Sequence, residues 1–274
     1  MAGIRGFIVL VLGLAVLGVY LFVTAPPPLA EDVSRPEDLV STRLLFELCF
    51  AENAAARKLY TERIVAAGSK VGLKFDEKWR EPGVHAGPLP ALFLRETASS
   101  LEKSRKTPAR LGLFLGSDHP VRLANRFSGV AADVFAKMRK DRAPHFFEMS
   151  DVKLQAAMFP DIAAAQACVD CHNQHPESTK RDWKLGDVMG ATTWTYPAAS
   201  VSKSDALRIL AALRGGFAAT YEAYLGKARE FSPPPTIGDQ WPDTGYFLPD
   251  TRVFMDAINQ RTSKATLDRL LALR

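Results

Sequence analysis

The chain has little cysteine: three residues in 274, at positions 49, 168 and 171. Three thiols allow at most one bridge and always leave one thiol over, so a disulfide could only be a single structural staple. A second C-x-x-C and an H-x₃-H pair are both missing, so a four-ligand structural zinc site lacks half its ligands. No dense arginine block occurs. The net charge of +5 is spread over scattered pairs such as Arg57–Lys58, Arg105–Lys106 and Arg139–Lys140, without interleaved aromatics. That pattern describes a mildly basic, solvated surface and speaks against a nucleic-acid partner. Internal repeats are absent, which excludes a solenoid.

Long hydrophobic runs are also scarce, with one exception. "FIVLVLGLAVLGVYLFV", Phe7 to Val23, carries no charge. With its flanks it makes roughly 28 Å of helix, enough to cross a hydrocarbon layer. The following "TAPPPLAED" offers no small-x-small cleavage site, since prolines occupy the critical places. No cysteine follows to accept a lipid. The expectation is an uncleaved N-terminal transmembrane helix with Arg5 kept inside. The rest of the chain is then exported to the periplasmic side of a bacterial inner membrane.

The remainder, 47% hydrophobic and 24% charged over the whole chain, can bury a core. After the polyproline-like spacer, Ser34, Pro36 and Glu37 form a capping-box signature. It predicts a helix to about Gly68, with Leu45, Leu48, Cys49, Ala56 and Leu59 near one stripe. "RLGLFLGSDHP", "PHFFEMSD", "KLQAAMFPD" and "DVMGATTWTYP" are short apolar runs closed by turn residues, hence strands. Residues 87–104 and 125–140 read as amphipathic helices, and 204–226 as a helix weakened by Gly215 and Gly216. A proline- and glycine-rich stretch and two short helices end the chain. The predicted fold class is α+β: an antiparallel sheet of four or five strands behind a long N-terminal helix, with flanking helices. The expected organisation is an anchor and spacer over 1–30, a main domain over 31–200, and a helical extension over 201–274 packed on it.

The motif that carries chemistry is Cys168-Val169-Asp170-Cys171-His172, C-x-x-C-H. A dithiol redox pair would sit at a helix start in a βαβ context, which this region lacks. Covalent haem attachment accounts for all three residues: each thiol adds across a vinyl group of the porphyrin, and the adjoining imidazole binds iron. Export suits this chemistry. One covalent haem c is therefore expected, with His172 as proximal ligand. For the opposite face the residues leave several candidates. They are Cys49, Met158 or Met189, His85, His119 or His145, and an open position for a gas. His175 is too near His172 to reach round the ring. Arg95 and Lys184 are candidates for the propionates, although exposed basic side chains more often face water.

"LYTERIVAAGSKVGLKFDEKW", "AGPLPALFLRETASSLE", "LGLFLGSDHPVRLANRFSG", "ACVDCHNQHPESTKRDWKLGDVMGATTWTYP" and "IGDQWPDTGYFLP" together resemble a bacterial family. These are the haem-c-binding, PAS-like sensor domains that often stand ahead of adenylate or guanylate cyclases and histidine kinases. The resemblance runs over about residues 35–270. It implies a PAS-like fold around one covalent haem. In some members it also implies a histidine–cysteine axial pair whose cysteine lies on the long helix, where this chain has Cys49. A thiolate there favours ferric iron and lowers the potential. Members of this kind continue into an output domain, whereas this sequence ends at Arg274.

The expectation is a membrane-anchored periplasmic monohaem c-type cytochrome, acting as a redox or gas (NO or CO) sensor module without its own output domain. The alternative is an electron-transfer subunit attached to a respiratory or photosynthetic complex. In either case the expected partners are the membrane and a redox or signalling protein. Nothing in the sequence resembles an enzyme active site.

Overall fold

The computed structural model describes residues 38–103, 111–163 and 166–271, together with the isolated positions 14, 17 and 20. The chain divides into Met1–Pro36 and a compact unit from Glu37 to Arg274. Apart from those three positions, the anticipated membrane helix at 7–23 lies outside the described residues, as does the Ser34–Glu37 capping box. No helix among those described is long and apolar enough to cross a membrane.

The long helix starts later than its capping signature indicates. Leu39–Ser41 is a strand, β1, paired antiparallel with a later strand through Leu39–Ser202, Val40–Val201 and Ser41–Ser200. Helix α1 then runs over Thr42–Leu59, with the Ser41 hydroxyl accepting from the Leu44 amide at 3.2 Å. Pairing with a distant strand keeps Leu39–Ser41 extended because it satisfies several backbone groups at once. The helix continues through a π-helical segment, Tyr60–Ala66, into a last α-turn, Ala67–Lys70. Tyr60 is fully buried there, stacked on Phe93 at 4.4 Å and donating to the Pro88 carbonyl at 2.7 Å.

Short strands β2 (Phe75–Asp76) and β3 (Gly87–Pro88) pair in parallel and lead into helix α2, Pro90–Lys103. Strand β4 is Gly112–Gly116, helix α3 Gly129–Asp141, strand β5 His145–Met149 and strand β6 Leu154–Ile162. Helix α4 (Gln166–Gln174) and strand β7 (Val188–Tyr196) follow. The main sheet has the order β4-β7-β6-β5, all antiparallel. All four strands read from the sequence are in it.

Both faces of this sheet are covered. Ala157 and Phe159 of β6 belong to the main core, while Met158 between them packs with Phe135 and Met138 of α3. This is the two-residue alternation of a pleated strand feeding two layers. On the main side, Phe50 of α1 stacks on Phe159 at 4.1 Å. Leu45, Leu48, Cys49, Ala56 and Leu59, the predicted stripe, are all buried.

The last part completes that core. Strand β8 (Ser200–Ser202) pairs with β1 and caps helix α5, Lys203–Ala228, through the Ser202 hydroxyl. A Cβ on Gly216 would lie 3.1 Å from Thr97, so the glycine that weakens α5 intrinsically is what lets it approach α2 closely. Strands β9 (Thr236–Gly238) and β10 (Phe247–Pro249) form a parallel pair within the proline-rich stretch. A single helix, α6 (Thr251–Leu271), stands where two short ones were expected. No proline or glycine interrupts 251–271, and Phe254 stacks on Tyr221 of α5 at 4.0 Å.

Gly87 gives a test of this packing. A Cβ there would lie 2.4 Å from the Tyr224 ring, and Tyr224 is fully buried. Gly87→Ala is expected to destabilise the protein by about 1–3 kcal/mol, read as a lower denaturant midpoint. An unchanged midpoint would show that the β3–α5 contact is loose.

Candidate functional site

Helix α4 places Cys168, Cys171 and His172 at positions i, i+3 and i+4, and so on one helical face. All three cysteines are free thiols. Cys168 is half-buried beside a small cluster of Ala163, Val169, Trp183 and Met189, while Cys171 is exposed. His172 is half-buried and neither ring nitrogen has a hydrogen bond; Nδ1 is fully enclosed. A buried nitrogen without a partner is uncommon and calls for an explanation.

The surroundings come from elements distant in sequence. Arg57, near the end of α1, is ion-paired with Asp161 at the end of β6. Burial opposes its charge, and Asp161 and Cys168 favour it, so α1 passes beside the motif. On the other side, Glu77 in the turn after β2 pairs with His175 at 3.4 Å. Burial lowers the His172 pKa, Asp161 and Glu77 oppose the shift, and His175 adds to it. The imidazole is thus held neutral, the form that binds a metal. Burial and Glu77 raise the Cys171 thiol.

Cys49 is placed differently. It is fully buried in the main core, two turns before Arg57 and about 12 Å from it along the helix axis. Burial pushes its thiol far above the ordinary value and Glu52, one turn on, adds to this. The structure therefore brings Cys168, Cys171 and His172 together and keeps Cys49 in a separate cluster. No group of three or more histidine, cysteine or acidic residues is poised to hold a metal among the described residues.

The other candidates are accounted for one by one. His85 stacks on Phe231 at 5.8 Å, His119 bonds Thr179 at 3.2 Å and His145 pairs with Asp141 at 2.9 Å. Met158 is locked under α3, whereas Met189 shares the small cluster beside Cys168. Lys184 lies exposed in a turn, its amide bonded to Asp187. Glu77 and Asp161 were not singled out from the sequence. Asp161 ends a strand seven residues before Cys168, which is a usable signal; Glu77 has none, because folding alone brings it to α4.

The part of the chain that bears the sheet, Cys49 and the motif is the part that matches a family model, Tll0287-like, over residues 47–197. The chain belongs to the Tll0287-like family. No curated protein and no solved structure matches it. The matched span ends just after β7, so α5 and α6, which close the main core, lie outside it.

A haem fits these residues in donor type. Two free thiols and a neutral, unbonded imidazole share one face, and the buried Nδ1 has no competing partner. With iron in place the Cys49 thiol would be a possible second ligand only as thiolate, which its dry surroundings resist without a cation beside it.

Proposed function

We propose that the protein is a monohaem c-type cytochrome of PAS-like fold, tethered on the periplasmic side of a bacterial membrane by residues 7–23. In this reading it acts as a redox or gas sensor module. The observation that carries it is the face of α4, where Cys168, Cys171 and His172 stand together with His172 Nδ1 buried and unbonded. When bound, the haem supplies one-electron chemistry and a site for small gases at its iron. Cys168 and Cys171 would hold the haem through thioethers, each formed by addition of S–H across a vinyl group with no oxidant consumed, and His172 would supply a ring nitrogen to the iron. Asp161 and Glu77 flank it, and Arg57 holds Asp161 in place.

Electron transfer is the second reading, and the exposure of Cys171 favours it, since a thioether there would hold the haem at a solvent-exposed position. Carbon monoxide binding to the reduced protein separates the two. Rapid binding with loss of the distal ligand supports sensing. A six-coordinate ferrous spectrum unmoved by carbon monoxide supports electron transfer.

We further propose Cys49 as the distal ligand, which requires α1 to deliver it to the iron. Cys49→Ala is expected to leave the haem covalently attached, remove thiolate character from the ferric spectrum and raise the midpoint potential. Tenfold in the one-electron equilibrium is about 59 mV, and a shift of at least that size is expected. If spectrum and potential match the wild type, Cys49 is a core residue and Met189, beside Cys168, becomes the leading ligand.

A further inference from the structure

Among the described arginines, four have a side chain with no hydrogen bond or ion pair: Arg95, Arg122, Arg126 and Arg142, and of these only Arg95 is withdrawn from solvent. A guanidinium always carries its charge and offers five donors, so leaving it half-buried without an acceptor is unfavourable. Its charged neighbours do not repair this. One is Arg122, a like charge. The other is Glu77, which is already taken by His175 at 3.4 Å. Burial and Arg122 both lower the Arg95 pKa, with Glu77 opposing.

The two arginines reach this place from separate elements. Arg95 lies on α2, and Arg122 precedes the short helical turn Leu123–Asn125; both elements pack on β4. The loop that carries Arg122 is held against the segment following α4, where His119 bonds Thr179 and meets Trp183 edge-on at 6.3 Å. Glu77 links the same spot to the motif, since its charge acts on Cys171, His172 and Arg95 alike. Two neighbouring cations on elements packed against β4, with no side-chain acceptor of their own and with the Arg122 loop tied to the segment after α4, suit carboxylates.

We propose that Arg95 and Arg122 form an anion clamp for the propionate carboxylates of the haem. This rests on the haem reading above. Arg95, the less exposed of the two, provides the planar fork, and Arg122 supplies the second charge at the rim.

The test uses the full-length apoprotein, made without the haem-attachment machinery, and two probes: haemin and haemin dimethyl ester, which lacks both carboxylates. Tryptophan quenching reads their binding. The wild type is expected to bind haemin at least about tenfold more tightly than the ester, the equivalent of 1.4 kcal/mol. In Arg95→Gln/Arg122→Gln the preference should fall to within about twofold, and Arg95→Lys should restore part of it. Equal binding of both probes by the wild type overturns the clamp while leaving the haem reading intact. So does a preference that survives in the double variant, because other cations then hold the carboxylates. If neither probe binds, the haem reading falls and takes the clamp with it. The wild-type comparison needs no variant, so a folding defect cannot obscure it.

Discussion

Replacing Cys168 and Cys171 together by serine is expected to remove all haem staining from the protein in a denaturing gel. Each thioether needs its own sulfur, and serine cannot add across a vinyl group under the same conditions. The fold should survive, because Cys171 is exposed and Cys168 only half-buried, and serine preserves their size. Either single variant should keep one thioether and stain more weakly. Far-ultraviolet circular dichroism on the same samples separates loss of attachment from loss of structure. Staining that persists in a folded double variant would sink the assignment of α4 as the attachment helix, and with it the cytochrome reading.

The second large effect is structural and concerns Glu52, one turn after Cys49 on α1. Its carboxylate is completely enclosed. Arg214 of α5 donates to it from Nε at 2.9 Å and from Nη2 at 2.5 Å, and the Thr266 hydroxyl of α6 donates at 2.9 Å. Removing one partner of such a pair leaves a buried charge uncompensated, at a cost of about 3–5 kcal/mol. Arg214→Ala is therefore expected to lower Tm by roughly 10 °C for a unit of this size. Glu52→Leu/Arg214→Leu removes both charges and should recover most of the loss, since an apolar pair of similar volume is often neutral. A single variant within 1 kcal/mol of wild type would mean that water reaches Glu52 when Arg214 is gone. The network also ties the helix bearing Cys49 to α5 and α6, so haem content should be measured in both variants.

How much was legible follows from the range of each interaction. The four sheet strands could be read because each is a short apolar run closed by turn residues, a pattern set within about ten positions. The buried stripe of α1 was legible for the same reason. Its start was not: Ser34 and Glu37 carry a capping signature in the sequence, but β1 is made by pairing with Ser200–Ser202, about 160 residues away. The single helix α6 was misread as two because its periodicity is weak, although nothing in 251–271 breaks it. In the site, C-x-x-C-H announces itself through spacing alone. Glu77, Asp161 and Arg57 do not, and Arg95 is only one of two basic candidates there, since a charged residue looks the same in sequence whether it meets water or an imidazole.

The sequence by itself determined the chemistry on offer. Three thiols, one C-x-x-C-H and a single long apolar run define what can be attached and where the chain is expected to reside, because those depend on residue type and spacing only. Tertiary structure decided the environment of that chemistry. It put Cys49 in the dry main core, left His172 Nδ1 enclosed without a partner, and set Arg95 near Arg122 with no carboxylate to spare. Burial and charge pairing are properties of surfaces brought together from α1, α2, β6 and α4. No local stretch of the chain contains them.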